Sequence, residues 1–330
     1  MPNESLPTVT VIIPTRPGQA SVAALEAALR LDYPRDLLDI IVARGRQPSA
    51  QRNAALKAAR GDLIYFLDDD SVSPPDNLKK SLSHFADPTV QMVGGPNLCP
   101  PQAPVLEQYF SLSMGTWLAF GPSRARYRAV GSTRPTSEKE LILCNLMARR
   151  QPVLALGGFD ESLYPNEENA LMDSLQRGGG KLIYDPQFFV HRRPRPTLAA
   201  FVRMLMNYGR GRAEQFRLHP TPGSALNFAP PAFLVYLAAL PFLPSPALLP
   251  LAAYLILVLI QAVAATPRTQ PLALPPLFFL VIATHIFYGA GFWKGLFTQP
   301  KRAKAVPAAE IILEKFSVPP PDSPPNPRLN

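Results

Sequence analysis

QRNAALKAARGDLIYFLDDDSVSPP, residues 51–75, decides the fold. Ser49 to Arg60 is rich in Ala and predicts a helix, and Gly61 follows it. DLIYFL (Asp62 to Leu67) is a short apolar run of strand length that ends in three consecutive aspartates. Upstream, VTVII (Val9 to Ile13) predicts a strand stopped by Pro14, Ala20 to Leu31 a helix, and LLDIIVA (Leu37 to Ala43) a second strand. This strand-helix-strand-helix-strand order predicts an α/β fold whose sheet is mostly parallel and flanked by helices. Right-handed crossovers then bring the three carboxyl ends to one edge, where open α/β sheets bind ligands. Asp68, Asp69 and Asp70 stand at that edge.

Downstream, Val90 to Gly95 and Glu140 to Ala148 read as further strands, and Gly121 to Thr136 as a mobile loop rich in Arg, Gly, Ser and Pro. A helix is expected from Glu168 to Arg177, stopped by three glycines, with a short strand over Lys181 to Pro186. Leu198, Phe201, Val202 and Leu205 recur at helical spacing. Their arginine-rich flanks suggest a helix lying in a membrane interface, with core packing as the alternative.

The overall hydrophobic fraction of 47% hides an uneven distribution. Charge almost vanishes between Phe228 and Lys294, and three apolar stretches fall there: Phe228 to Leu243, Ala247 to Ala265 and Leu274 to Trp293. Each is near the length that crosses a bilayer. Pro230, Pro231, Pro241, Pro244, Pro246 and Pro250 interrupt the first two, so two or three transmembrane or re-entrant helices are expected. The organisation expected is therefore an α/β domain over 1–190, a basic segment over 191–225, apolar helices over 226–295, and a basic, then proline-rich tail over 296–330 whose last residues, Ser317 to Asn330, are expected to be disordered.

The net charge is +9, and seven arginines against one acid lie between Arg192 and Arg217. Because this cluster directly precedes the apolar region, anionic lipid headgroups or a lipid-linked phosphate explain it better than nucleic acid. Membrane lipids are expected as partners and nucleic acid is not. Cys99 and Cys144 have no metal-site spacing, and nothing at the N-terminus reads as a signal peptide. A membrane protein with its N-terminal domain on the cytoplasmic face is expected.

Three adjacent carboxylates at the end of a buried strand repel one another unless a cation is bound, and hard oxygen donors suit Mg²⁺ or Mn²⁺. The alternative is a solvated acidic turn. His191 follows another strand pattern and is a third candidate ligand. Asn145, at the end of a strand, is a candidate for hydrogen-bonding a substrate hydroxyl or for satisfying loop backbone.

VTVIIPT together with residues 51–75 resembles the N-terminal half of glycosyltransferase family 2, whose GT-A fold binds a nucleotide sugar. The resemblance implies a donor site formed by Pro14, Thr15 and Arg16 after the first strand, Arg52 and Asn53, and Asp68 to Asp70 as the DXD motif. Asp68 would face the nucleotide and Asp70 the metal, Mn²⁺ or Mg²⁺. Many relatives carry an acidic VDDGS-like turn after the second strand, where this chain reads VARGRQPS (Val42 to Ser49). Arg44 and Arg46 there either approach phosphates or are solvated loop arginines.

GGFDESLYPNEENALMDSLQ (residues 157–176) resembles the family's acceptor-side segment, with Glu167 and Glu168 at its usual ED pair. The resemblance implies Glu168 as the base that takes the acceptor proton, with Glu167 and Asp160 as further catalytic candidates. NYGRGR (Asn207 to Arg212) resembles a segment of membrane-linked relatives of the succinoglycan exopolysaccharide type, and implies Arg210 and Arg212 as a diphosphate clamp. The expected activity is an inverting, metal-dependent transfer from a nucleotide-diphosphate sugar to a hydroxyl of a lipid-linked saccharide at the cytoplasmic membrane face. A polyprenyl-phosphate sugar transferase and a non-catalytic membrane scaffold are the alternatives.

Overall fold

The computed structural model describes residues 6–162, 167–218, 222–298 and 310–317. Its strands are β1 (Val9–Thr15), β2 (Leu38–Arg44), β3 (Leu63–Leu67), β4 (Val90–Gly94) and β5 (Asn97–Leu98). There follow β6 (Arg134–Thr136), β7 (Asn145–Arg149), β8 (Lys181–Tyr184), β9 (Val190–His191) and β10 (Ile312–Ser317). The helices are α1 (Ala23–Ala28), α2 (Pro48–Ala58), α3 (Asn77–Leu82), α4 (Val105–Met114), α5 (Trp117–Phe120) and α6 (Arg150–Ala155). They continue with α7 (Glu167–Arg177), α8 (Leu198–Leu218), α9 (Ala229–Ala239), α10 (Leu248–Ala265) and α11 (Leu274–Phe297).

The chain forms two compact units. The first comprises Met1–Asn97, Ala129–Arg192 and Ala303–Asn330; the second comprises Leu98–Arg128 and Arg193–Arg302. Leu98–Arg128, expected within the N-terminal domain, therefore groups with the apolar helices.

In the first unit, eight strands form one sheet in the order β10-β2-β1-β3-β7-β4-β8-β6. β2, β1 and β3 run parallel, as the strand-helix alternation predicts. The sheet as a whole is mixed rather than mostly parallel. β7 lies antiparallel between β3 and β4, and both edge strands, β6 and β10, are antiparallel to their neighbours. Ile12, Tyr65 and Phe66 are fully buried, as a sheet covered on both faces requires.

Two local expectations are corrected, and a further strand is found in the tail. Pro14 does not stop β1 but pairs with Ala43 within it. Beyond Ile12 that strand is paired on the β2 side only, so the missing proline N–H faces the open side. Part of Gly121 to Thr136 is ordered: Gly121–Arg126 is a 3₁₀ turn and Arg134–Thr136 is the edge strand β6. The tail also contains structure, because Ile312–Ser317 pairs antiparallel with β2 from Ile312–Arg44 to Ser317–Asp39. The proline-rich residues 318–330 lie outside the described residues.

In the second unit, α8 is a packed helix. Phe201 stacks on Phe110 of α4 with ring centroids 4.3 Å apart. A Cβ on Gly209 would lie 2.0 Å from the Tyr288 carbonyl oxygen, and one on Gly291 would lie 2.1 Å from that of Met206, so α8 and α11 touch backbone to backbone. This favours the packing alternative for α8, although Arg203 on its outer face is exposed. Arg193 donates to buried Glu107 through Nε at 2.9 Å and Nη2 at 2.5 Å.

Three helical segments are long and apolar enough to cross a membrane: Ala225–Phe242, Ser245–Ala265 and Pro271–Phe297. Their prolines sit at helix starts and breaks. Pro230 and Pro231 open α9, Pro241 lies in the 3₁₀ turn after it, and Pro250 falls in the first turn of α10.

Candidate active site

The carboxyl ends of β1, β2 and β3 are tied together by α2. Pro48 starts this helix at a position where no N–H is needed, and the Gln47 side chain accepts from the Ala50 N–H as its cap. One turn on, Gln51 reaches back and donates through Nε2 to the carbonyls of Thr15, at 2.8 Å, and Ala43, at 2.5 Å. Gln51, which no motif marks, joins two strand ends at the ligand edge.

Arg52, next on the helix, is buried. Its Nη2 donates to Asp68 Oδ1 at 2.7 Å, and Nη1 lies 3.6 Å from Glu167 Oε1. The DXD motif and the glutamate pair, 99 residues apart in number (167 − 68), therefore meet at one guanidinium. Asn53 holds the GGFDE turn. Its Oδ1 accepts from the Phe159 N–H at 2.8 Å, and its Nδ2 donates to the Phe159 carbonyl at 2.8 Å and to Glu161 Oε1 at 2.9 Å. Gly158 makes that approach possible: its φ is +83°, and a Cβ there would lie 2.4 Å from Asn53 Oδ1.

The aspartate triplet is held unevenly. Thr15 Oγ1 lies 3.4 Å from Asp69 Oδ2, donating to it. The Asp69 carboxyl is raised above its ordinary range, first by burial and then by Asp70 and Asp68 beside it. Arg192 supplies the compensating charge, with Nη1 3.2 Å from Asp68 Oδ2 and Nε 2.6 Å from Asp70 Oδ1. Burial opposes the charge on Arg192, but Asp68, and then Cys144 and Asp70, outweigh it and keep the guanidinium charged. No motif around Arg192 marks this role. It arises because His191 and Val72 exchange backbone hydrogen bonds, at 2.9 and 2.8 Å, which sets the start of the arginine cluster against the segment after the triplet.

Other candidates of the first unit lie outside these contacts. Asn145 is fully buried, accepting from the Tyr65 hydroxyl at 2.8 Å and donating to the Phe188 carbonyl at 2.6 Å, which is the loop-satisfying alternative. Asp160 is exposed and accepts from the N–H and Oγ of Ser162, forming its own turn. Arg44 is engaged by Glu314 of β10 at 2.7 Å and by the Gln19 carbonyl at 2.8 Å. Arg16 and Arg46 are exposed. Arg210 and Arg212 belong to the second unit, beside Glu214 and Gln215 respectively. Glu168 is half-buried and has no ion-pair partner among the described residues.

A divalent cation fits the donors at the triplet, because Asp68 and Asp70 already converge on one cationic group. His191 does not complete a three-residue set. Among the described residues no three His, Cys, Asp or Glu side chains group as a metal site, and the His191 Nδ1 is buried without a hydrogen-bond partner. Two carboxylates suffice for Mg²⁺ or Mn²⁺ when substrate phosphates and water fill the remaining positions.

Residues 19–151 match the model of glycosyl transferase family 2. The pre-mycofactocin glycosyltransferase of Mycobacterium tuberculosis, in strains CDC 1551 and H37Rv, is 26% identical over 260 residues, which cover 69% of this chain and 52% of the relative. The chain thus spans about half the length of the curated relatives it matches. Among solved structures, the mannosyltransferase PcManGT from Pyrobaculum calidifontis, in complex with GDP-Man and Mn²⁺, aligns with a TM-score of 0.59 at 19% identity. That alignment covers 89% of this chain and 88% of the other, and at such identity it speaks for the fold alone. The match to glycosyl transferase family 2 thus spans residues 19–151, and the fold is like that of the mannosyltransferase PcManGT.

Proposed function

We propose that this chain transfers a sugar, with inversion, from a nucleotide-diphosphate donor to an acceptor hydroxyl, assisted by a divalent cation at Asp68 and Asp70. The observation that carries this reading is the buried Arg52 guanidinium shared by Asp68 and Glu167, which joins the donor motif to the acceptor-side glutamates. The mannosyltransferase of similar fold was solved with GDP-Man and Mn²⁺, which supports this donor class and cation.

In this reading Glu167, neutralised by Arg52, positions the start of α7, and Glu168, half-buried and outside any ion pair among the described residues, takes the acceptor proton. The hydroxyl oxygen bonds to the anomeric carbon as the bond to the diphosphate oxygen breaks on the opposite face. When bound, the cation neutralises charge on the departing diphosphate. The edge between Thr15 and Asp69 receives the nucleotide, and Asn53 fixes the acceptor-side turn through Phe159.

The acceptor proposed is a lipid-linked saccharide at the cytoplasmic membrane face, supported by three apolar segments of spanning length and the seven arginines that precede them. The tail bears on the number of crossings. β10 lies in the same sheet as β2, so the sequence before α8 and the strand after α11 share one side of any bilayer. An even number of crossings follows, so two of the three candidates would span and the remaining one would lie re-entrant or interfacial.

The test is release of nucleoside diphosphate from a panel of nucleotide sugars by the membrane-inserted protein, with Mg²⁺ or Mn²⁺. Cation-dependent release that Asp70→Asn abolishes supports the reading. Failure to bind any nucleoside diphosphate would leave the scaffold alternative.

A further inference from the structure

Arg192 engages both outer carboxylates of the triplet, with Nη1 3.2 Å from Asp68 and Nε 2.6 Å from Asp70. It therefore stands where a bound cation would draw the same two groups together. Its backbone is fixed, since His191 immediately before it is bonded in both directions to Val72. Its side chain is less confined: the Asp70 side chain is 49% exposed and that of Arg192 26%, so this ion pair lies at an open edge. Arg52, by contrast, meets Asp68 with only 6% of its side chain exposed. One arginine is built into the core and the other is placed to move.

A guanidinium and a divalent cation cannot both occupy the position between Asp68 and Asp70, because their charges repel and Arg192 already takes Asp68 Oδ2 and Asp70 Oδ1. We propose that Arg192 is a resident counter-ion which a divalent cation displaces, so that Arg192 sets the metal affinity of the site. This rests on the reading of Asp68 and Asp70 as a cation site. The resident arginine answers a physical need: without it, the metal-free triplet would have only Arg52, at Asp68, against its negative charge. Once displaced, the guanidinium keeps its anchor next to Val72 and presents a bidentate donor suited to a diphosphate.

The test uses the full chain in detergent without nucleotide, with free Mn²⁺ followed by its electron paramagnetic resonance signal. Arg192→Gln removes the competing charge and is expected to tighten Mn²⁺ binding about tenfold or more. Arg192→Lys keeps the charge but loses the two-point contact, and is expected to tighten it by a smaller factor, which provides a second measurement if the glutamine variant folds poorly. Asp70→Asn should weaken binding in both the wild-type and Arg192→Gln backgrounds. Unchanged or weaker Mn²⁺ binding in both folded Arg192 variants, with Asp70→Asn still abolishing it, would overturn the exchange while leaving the cation site standing. Binding indifferent to Asp70→Asn would overturn both.

Discussion

Arg52 donates from Nη2 to Asp68 Oδ1 at 2.7 Å and so joins the second turn of α2 to the end of β3. The same side chain faces Glu167, so its loss would leave two carboxylates without their shared cation in a buried setting. Arg52→Lys keeps the charge but cannot reach both carboxylates with one planar fork. We expect a folded protein with nucleoside diphosphate release reduced about 100-fold, because the donor and acceptor motifs lose their common register. Near-UV circular dichroism reports the fold and product release the activity. A lysine variant of wild-type rate would show that the register does not depend on Arg52.

Asn53 and Gly158 form a second lock between the same two motifs. Asn53→Ala leaves the N–H and carbonyl of Phe159 without the partners they have now, for a loss of about 2–4 kcal/mol. Gly158→Ala is penalised twice, by its φ of +83° and by the 2.4 Å approach of its new Cβ to Asn53 Oδ1. Both variants should melt earlier than the wild type, and the double variant should lose less than the sum, since the clash disappears with Asn53. Additive losses would argue against a shared contact.

The tail strand predicts a contrast between one residue and the whole element. The Glu314–Arg44 ion pair is partly exposed on both sides, so Glu314→Ala should cost less than about 1 kcal/mol. Removing β10 entirely bares the edge of β2 from Asp39 to Arg44, and an open edge strand recruits other chains. Size-exclusion chromatography in detergent should show association of a chain ending at residue 309, whereas Glu314→Ala stays monodisperse. A monodisperse truncated chain would mean that the edge is protected otherwise.

The contrast between β10 and the first three strands also shows what local sequence carries. VTVII and LIYFL are buried on both faces, so their apolar runs announce them without any knowledge of partners. ILEKFS has mixed polarity because it lies at an edge, and its partner at Arg44 is 270 residues away. Arg192 was hidden for a similar reason, since only the Val72–His191 bridge distinguishes it from six other arginines in its cluster. Asn145 looked like a site residue because a polar group at a strand end attracts that reading, and its partner Tyr65 is separated from it by 80 residues. The motifs of the donor edge were legible because α2 and β3 bring Arg52 and Asp68 together from neighbouring sequence.

The two thiols give a pH prediction. Burial first, with Asp68 and Asp70 adding to it and Arg192 opposing, pushes Cys144 up to about 11; burial and then Glu107 push Cys99 to about 11. Relative to an ordinary thiol near 9, the thiolate fraction at pH 8 falls about 100-fold. Iodoacetamide labelling read by mass spectrometry should therefore be slow in the native protein and rapid once it is denatured. The sign for stability follows from the same shift. The folded state retains protons that the unfolded state releases, so this contribution is whole below about 9 and is lost as pH rises toward 11.

Glu168 separates the two enzymatic readings. It lies beside Glu167 at the start of α7, but only Glu167 faces Arg52, so the two carboxylates have unlike surroundings and unlike expected effects. If Glu168 takes the acceptor proton, Glu168→Gln should lower kcat by about 10²–10⁴-fold with little change in KM, since the amide keeps the shape but cannot accept the proton. Glu167→Gln should instead lower stability, because it removes the carboxylate charge opposite a buried guanidinium. A lipid phosphate as acceptor is already ionised and needs no such base. A Glu168→Gln protein that turns over at the wild-type rate with a polyprenyl phosphate would therefore move the assignment to phosphate glycosylation, with the donor edge at Asp68 and Asp70 unchanged.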